Sequence, residues 1–357
     1  FITRRLTRPV SKNILCPCDI DFITIMATIK DVAEKAGLSV TTVSRFLNNH
    51  PYIAEDKKEK ILAAMKELDY EPSTVAQQMR GVKTHRIGVL ISRITNPFFA
   101  SLVDALEVTA RKHGYSVLIV QNHNSAGEEE NCLDLLKKKI IDGLILCAVE
   151  SDKDVIEQYQ KYGPILLCNT SIDNTTLPVV RMDDELATYR AVSWLLHKGY
   201  RRIAYSTGGA FQQKGHGSRR NRGFIAAMQQ GQQPIDERLV FRHVHTWRDG
   251  QRLAEQILQM AKSERPDAIF AGSDEVACGL ISALSANGIS VPGELAVMGF
   301  DNLPVAEMVH IPLTTVSQPI EQLGRISVER LLALINNTHY RYDEEDLKSE
   351  LVIRASA

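Results

Sequence analysis

The sequence from residue 29 to residue 48 reads Ile29-Lys-Asp-Val-Ala-Glu-Lys-Ala-Gly-Leu-Ser-Val-Thr-Thr-Val-Ser-Arg-Phe-Leu-Asn48. It predicts two short helices joined by a tight turn. Thr28 and Asp31 have the spacing of a capping box at the first helix, and Ser39 can cap the second. Gly37 lies where the chain must leave the first helix in a left-handed conformation. The stretch therefore predicts a helix-turn-helix, an arrangement that places one helix in the major groove of DNA.

The second helix has an apolar side and a polar side. Val43, Phe46 and Leu47 share the inward face by helical spacing. Side chains at the start of such a helix and on its outer face reach base edges, which predicts a DNA-contacting set. This set consists of Ser39, Val40, Thr41, Thr42, Ser44, Arg45 and Asn48. The alternative is an ordinary core hairpin, but a core hairpin has no need of an outer face rich in threonine and arginine.

A third amphipathic helix, from Glu55 to Leu68, is predicted to close the core of this small head, and Pro72 then breaks the chain. The apolar side chains expected to close that core are Ile61, Leu62, Met65 and Leu68.

Three motifs in this region carry a family resemblance. They are Met26-Ala-Thr-Ile-Lys-Asp-Val-Ala33, Val43-Ser-Arg45 and Leu68-Asp-Tyr-Glu-Pro-Ser-Thr-Val-Ala-Gln-Gln-Met79. With them the chain resembles the lactose/galactose repressor (LacI/GalR) family, from Met26 to near the C-terminus. The resemblance implies a hinge at residues 71–85, in which Val75, Ala76 and Met79 contact DNA. Met79 stands where the family has a leucine that it inserts between base pairs in the minor groove.

Length and composition fit a small head joined to a large body. The chain has 357 residues, 44% of them hydrophobic, and a formal net charge of -1, which indicates more than one domain and a full core. Residues 26–85 carry nine Lys and Arg against eight Asp and Glu. Because this head is barely basic, its phosphate contacts are expected from helix N-termini, hydroxyls and a few cations such as Arg45.

Cysteine usage and hydropathy indicate a cytoplasmic protein. The six cysteines include no CxxC pair, and no apolar stretch has the length of a signal peptide or a membrane span. We therefore expect no disulfide, no zinc, no cofactor and no membrane partner. Residues 1–25 precede the start of the family pattern and are interpreted as disordered or as upstream sequence read in frame.

Strands and helices alternate beyond the hinge, which predicts an α/β body of two similar lobes with doubly wound parallel sheets. The family has this architecture, which is similar to that of periplasmic sugar-binding proteins. The predicted units are a helix-turn-helix domain at 26–70, the hinge at 71–85, and a body at 86–357 for effector binding and dimerisation. The lobes are predicted at about 86–185 plus 317–345, and at 186–316 plus the C-terminal end.

Ligands of such sheets bind at the carboxyl ends of the strands, here in the cleft between the lobes. The residues that follow predicted strands with polar or aromatic groups are Ser92, Asn96, Phe98, Asn169, Ser273 and Asp301. A carboxylate accepts hydrogen bonds from two hydroxyls, so Asp301 suits a polyhydroxylated ligand, with a helix cap as its alternative role.

The resemblance singles out two of the cleft residues. Arg220 stands three residues before Gly223, where these repressors keep their effector-binding arginine, and Asp301 matches their effector-binding acid. Trp247, in a predicted loop, could stack on a sugar face, although His245 aligns as well.

Two positions depart from the family. Asn169 stands where several sugar-binding members have Asp, and Ile140 stands where many have Arg or Lys. These departures leave the identity of the effector open.

Catalytic motifs such as GxSxG, a Walker loop or HExxH do not occur, and His243 and His245 favour a solvated strand over a metal site. The sequence predicts a dimeric, nucleoid-associated transcription regulator that binds a near-palindromic double-stranded operator. We expect a repressor of a carbohydrate-use operon that a small sugar releases. The alternatives are a corepressor-dependent, purine-repressor-like regulator, a transport sugar-binding protein without the head, and an enzyme.

Overall fold

The computed structural model describes residues 27–48, 50, 52–71, 83–170, 172–212 and 218–357. The chain divides into two compact units, a head and a body, and the body extends from Lys83 to Ala357. Val75, Ala76 and Met79, together with residues 1–26, lie outside the described residues. In the part of the chain that is described, no helix is both long enough and apolar enough to span a bilayer.

The head contains three helices, α1 (Ile29–Ala36), α2 (Val40–Leu47) and α3 (Glu55–Glu67). The predicted capping box is confirmed, because the side chains of Thr28 and Asp31 each accept a hydrogen bond from the other residue's backbone N–H. Gly37 ends α1 with a φ of 65°, in the left-handed region, as expected. The predicted helix-turn-helix is therefore present.

A small apolar core holds these helices together, consisting of Val32, Ala33, Val43, Ile61 and Ala64. Met65 and Leu68 pack against it, as predicted. Leu62 does not, since it is 55% exposed, and its predicted place in the core is wrong. One residue along a helix is a turn of about 100°, so Leu62 points away from the side that buries Ile61.

The first lobe of the body is a five-stranded parallel sheet with strand order β2-β1-β3-β4-β5. Its strands are β1 (Arg86–Ile91), β2 (Ser116–Gln121), β3 (Gly143–Leu146), β4 (Ile165–Cys168) and β5 (Val179–Val180). Its first helices are α4 (Pro97–Lys112), α5 (Ala126–Lys137) and α6 (Lys153–Glu157). Buried apolar clusters on both faces of the sheet account for the mostly apolar strands.

The second lobe has a six-stranded sheet with order β11-β10-β9-β8-β6-β7, parallel except for the pair β10 and β11. Its strands are β6 (Ile203–Ser206), β7 (Val240–Phe241), β8 (Ala268–Phe270), β9 (Ala296–Asp301), β10 (Thr314–Ser317) and β11 (Glu350–Val352). Its helices are α7 (Asp184–His197), α8 (Ser218–Gln230), α9 (Trp247–Gln259), α10 (Asp274–Ala286) and α11 (Val305–Met308). The two-lobed α/β fold is thus confirmed.

The chain crosses between the lobes more than once. It leaves β5 of the first sheet for α7 of the second lobe, and it returns after β10 through α12 (Ile320–Ile335). Leu323 and Ile326 of α12 are buried in the core of the first lobe. The chain then re-enters the second sheet at β11. Short 3-10 helices lie at Gln158–Tyr162, Glu237–Leu239, Lys262–Glu264 and Glu344–Leu347.

A backbone contact joins α7 and α8. A β-carbon at Gly223 would lie 2.3 Å from the carbonyl oxygen of Glu185, so only glycine allows the two helices to approach this closely. The contact sets the first turns of α8 against the acidic start of α7.

We expect Gly223→Ala to lower the free energy of unfolding by about 1–3 kcal/mol, because the added methyl group meets backbone that must move. Urea denaturation measures this. The control is Gly127→Ala in α5, where a β-carbon would meet only the Ser125 Oγ at 3.8 Å; its effect should be small or stabilising, up to about 1 kcal/mol. Equal stability of the two variants would contradict the tight contact.

Candidate functional site

The outer face of α2 carries most of the predicted DNA-contacting side chains. Those exposed to solvent are Val40, Thr41, Arg45 and Asn48, and Ser44 is half-buried. Ser39 and Thr42 form the cap, in which the Ser39 Oγ accepts a hydrogen bond from the Thr42 backbone N–H at 3.2 Å and lies 2.9 Å from the Thr42 Oγ1. The helix start is therefore closed by its own hydroxyls, and Val40, Thr41 and Arg45 are exposed on the outer face.

A cavity of about 680 Å³ lies between the two lobes, where the strands of both sheets end. On the side of the first lobe it is lined by residues that include Asn124, Glu150, Asn169, Thr170 and Asp173. On the other side it is lined by residues that include Arg181, Asp184, Tyr205, Arg219, Arg220, Arg222, His243 and His245. A groove of about 810 Å³ between α4 and α12 is larger, but none of the predicted ligand residues lines it.

Arg220 is held at the centre of the second lobe's wall. Its Nη1 donates to the carbonyl oxygen of Gly272 at 2.9 Å, and its guanidinium lies 3.8 Å from the centroid of the Phe300 ring. Its Nε is 3.9 Å from the Asp184 Oδ1, too far for a hydrogen bond. A guanidinium that is fixed in this way, and whose one hydrogen bond to the described residues is the one to Gly272, is suited to a polar ligand.

Asp301 lies deeper, at the end of β9. It is 4% exposed, and its Oδ1 accepts a hydrogen bond from the Gln318 Nε2 at 2.6 Å. Its φ of 118° is one that residues with a β-carbon rarely adopt. Such strain is concentrated at functional sites.

A second buried acid, Asp274, accepts hydrogen bonds from the Thr315 hydroxyl at 2.5 Å and the Leu303 N–H at 2.8 Å. Burial raises the pKa of Asp274 to about 6. Burial and the neighbouring Asp274 carboxylate raise the pKa of Asp301 well above its usual value, although Arg220 opposes this. Both carboxyl groups therefore keep their proton to a higher pH than an exposed aspartate does.

The remaining predicted residues near strand ends have structural contacts. Asn96 caps α4, where its Oδ1 accepts from the Phe98 N–H at 2.9 Å. Phe98 is buried in the first lobe's core. Ser273 caps α10 by accepting from the Val276 N–H at 3.3 Å. Ser92 is buried just after β1.

Asn169 and Trp247 differ in their placement. Asn169 lines the cavity, and its Oδ1 is buried without a hydrogen-bond partner among the described residues. Trp247 is the first residue of α9, not part of a loop as predicted, because Thr246 and Asp249 form a capping box there. Its side chain is 47% exposed and lies outside the cavity lining of the described residues.

Several charged residues of the cavity were not among the predicted site residues, namely Arg181, Asp184, Arg219 and Arg222. Asp184 begins α7, and burial raises its pKa. The run of three arginines within residues 219–222 was a usable signal, but only Arg220 was selected from it.

The two histidines also line the cavity. His243 has a φ of 57° and follows β7, so the predicted strand at 243–245 is wrong. Burial lowers the pKa of His245, and the charge of Arg93 adds to this effect. Arg93 belongs to the first lobe, and its Nη2 lies 3.5 Å from the carbonyl oxygen of His245 and 3.9 Å from the Glu275 carboxylate. This contact bridges the two walls of the cleft.

The buried acids predict a pH dependence of stability. Because the pKa of Asp274 is raised from 3.8 to about 6, its stabilising effect is complete below pH 3.8 and is lost as the pH rises through 6. Asp274→Asn should therefore gain stability relative to the parent over this range, as measured by urea denaturation at several pH values. A pH-independent difference for Asp274→Asn would contradict the assignment.

Two family models match the chain. The model for bacterial regulatory proteins of the lacI family matches residues 28–73, and the model for periplasmic binding proteins and the sugar-binding domain of the LacI family matches residues 84–354. The NTD biosynthesis operon regulator NtdR of Bacillus subtilis is 34% identical over 93% of this chain and 100% of that protein. The transcriptional repressor PurR of Vibrio parahaemolyticus is 31% identical over 92% of this chain and 98% of that protein.

Solved structures agree with these relatives. A LacI family regulator from Lactobacillus casei with bound glucose is 37% identical, with a TM-score of 0.71, over 76% of this chain and 99% of that chain. The lac repressor dimer bound to operator and the anti-inducer ONPF is 27% identical, with a TM-score of 0.74, over 92% of this chain and 98% of that chain. The resemblance found in the sequence is confirmed: the chain belongs to the LacI family of bacterial regulatory proteins and is a DNA-binding transcription regulator.

Proposed function

We propose that this regulator is a dimeric repressor of a carbohydrate-use operon, released from a near-palindromic operator when a small sugar-type effector enters the cleft. The observation that carries the proposal is the polar cavity of about 680 Å³, in the same chain as an exposed recognition face on α2. Its volume falls in the usual range for small-molecule sites, roughly 300–1,000 Å³. The glucose-bound relative supports a sugar as the effector.

Arg220 and Asn169 are the proposed effector contacts that line this cavity. Arg220 donates in a planar fork, and the Asn169 Oδ1 is an acceptor without a partner among the described residues. Asp301 is also proposed to bind the effector; it is 4% exposed and, among the described residues, is not part of the cavity lining. The other residues proposed for effector binding are not part of this cavity lining, and they are Ser92, Asn96, Phe98, Ser273 and Trp247.

Effector binding is proposed to change the angle between the lobes, which the chain joins at residues 181–183, 318–319 and 336–349. Two bodies in a dimer would then pass the change to the hinge at 71–85, where Val75, Ala76 and Met79 are proposed to contact the minor groove. The dimer is supported by the likeness to the lac repressor dimer, and a cytoplasmic, nucleoid-associated location accords with this function.

Arg45→Ala should weaken operator binding by roughly 1–3 kcal/mol, because an exposed arginine on the recognition helix can donate two hydrogen bonds to a guanine. Fluorescence anisotropy with operator and random DNA measures the effect. The control is Arg341→Ala, which removes an exposed cation from the body and should leave both affinities unchanged. An equal loss on operator and random DNA would show that Arg45 contacts only phosphate.

Arg220→Ala should abolish ligand-induced release while leaving operator affinity unchanged, because the head does not depend on the cleft for its fold. Operator release titrated with candidate sugars measures this, with circular dichroism as the folding control. If instead the parent binds the operator only with ligand, and the variant does not bind it even with ligand present, the protein is a corepressor-dependent regulator. A normal ligand response would remove Arg220 from the site.

A further inference from the structure

Three arginines meet at the junction of β5, α7 and α8. Two of them are paired with acids of α7 or its cap, since the Arg219 Nη2 lies 2.7 Å from the Asp183 Oδ1 and the Arg222 Nε lies 2.9 Å from the Glu185 Oε2. The third is Arg181, which directly follows β5 and lines the same cavity.

Arg181 has no such partner. Its Nη1 is 3.5 Å from the carbonyl oxygen of Met182, and within the described part of the chain no carboxylate forms an ion pair with it. It is half-buried. Burial lowers its pKa, and the charges of Arg219 and Arg222 contribute to the decrease, with Asp183 and Asp184 opposing. A cation held in this way lacks the anion that would offset its desolvation.

The same cavity also offers acceptors without donors. The Oδ1 atoms of Asn169 and Asp184 are buried and have no hydrogen-bond partner among the described residues. Buried polar atoms are nearly always hydrogen-bonded in folded proteins, so the hydroxyl groups of a ligand would supply the donors that these two acceptors lack. Asn169 lies on the first lobe, where Glu150 also lines the cavity, whereas Asp184 lies with the arginines on the second lobe.

We propose that the cleft recognises an anionic sugar derivative, whose phosphate or carboxylate group binds the Arg181 guanidinium and whose hydroxyls donate to Asn169 and Asp184. The planar fork of a guanidinium matches both anionic groups in a bidentate way. The cavity volume of about 680 Å³ limits the ligand to a small molecule. This inference rests on the proposed function, because it specifies the effector of the same site.

The test compares three probes that differ in charge: glucose, glucose 6-phosphate and glucuronate. Calorimetric titration of the full chain should show that at least one anionic probe binds about tenfold or more tightly than glucose, since hydrogen bonds between charged groups are the stronger ones. The preference should weaken at high salt. Glucose 6-phosphate and glucuronate distinguish a phosphate ligand from a carboxylate ligand.

Arg181→Gln should bring the affinities for anionic and neutral probes close together while glucose binding changes little. The matched control is Arg190→Gln, because Arg190 is exposed and lines an adjoining cavity of about 440 Å³ with Arg181 and Arg219 but does not line the cleft. This control should keep the preference. Loss of the preference in Arg190→Gln instead would place the anion in the adjoining cavity and overturn the proposal.

The proposal also fails if neither anionic probe binds more tightly than glucose, or if the preference survives Arg181→Gln. If the proposal fails in either way but glucose still releases the protein from the operator, the proposed repressor function is retained. Conversely, glucose 6-phosphate could bind through Arg181 without releasing the protein from the operator. That result would contradict the proposed release by a sugar, but not the proposed anionic ligand.

Discussion

The backbone contact between α7 and α8 at Gly223 determines the geometry of the cleft's basic wall. With no side chain at Gly223, the two helices approach until a β-carbon there would lie 2.3 Å from the Glu185 carbonyl oxygen. At this spacing the Arg219 Nη2 lies 2.7 Å from the Asp183 Oδ1 and the Arg222 Nε lies 2.9 Å from the Glu185 Oε2. The same approach leaves Arg220 directed at Gly272 and Phe300. One glycine thus aligns three arginines with different roles.

Behind this wall, aromatic packing supplies the rigidity that a charged site needs. The Tyr205 ring stacks on Phe224, with centroids 4.6 Å apart, and lies 6.0 Å from Phe270. Its hydroxyl donates to the Asn221 Oδ1 at 3.1 Å. The Arg220 guanidinium stacks on the Phe300 ring, and Phe300 in turn packs edge-on against Phe270. The cation therefore contacts buried aromatic residues of the core. Its position is therefore restrained before any ligand binds.

Both walls of the cleft carry polar groups that the described residues leave unsatisfied. Among these residues, the Oδ1 atoms of Asn169 on the first lobe and Asp184 on the second have no hydrogen-bond partner, and no carboxylate forms an ion pair with Arg181. The Arg93 contacts with His245 and Glu275 join the walls at another point. A ligand that binds polar groups on both walls at once favours the angle between the lobes at which it reaches both. This preference is the physical basis of the response to an effector that we propose.

Local rules were sufficient for the head. The capping box at Thr28, the glycine at residue 37 and the apolar spacing of α2 all act within a few residues, so the sequence determined the helix-turn-helix and its outward face. The alternation of strands and helices in the body is equally local, and it predicted the two-lobed fold. Arg220 and Asp301 could be selected because a recognisable motif surrounds each of them.

Contacts between distant segments decided the rest. Leu62 was predicted to lie in the core of the head, but α3 packs against the other helices through Ile61 and Ala64 instead. The partner of Arg219 is Asp183, 36 residues away, and no spacing rule connects them. Asp183 and Asp184 follow Arg181 closely in sequence, yet among the described residues Asp183 pairs with Arg219, Asp184 lies nearest Arg220, and no carboxylate forms an ion pair with Arg181. The sequence by itself thus determined the fold and the DNA-binding class, because those follow from periodicity and caps. Only the tertiary structure decided which charges meet in the cleft, because pairing depends on how closely helices pack.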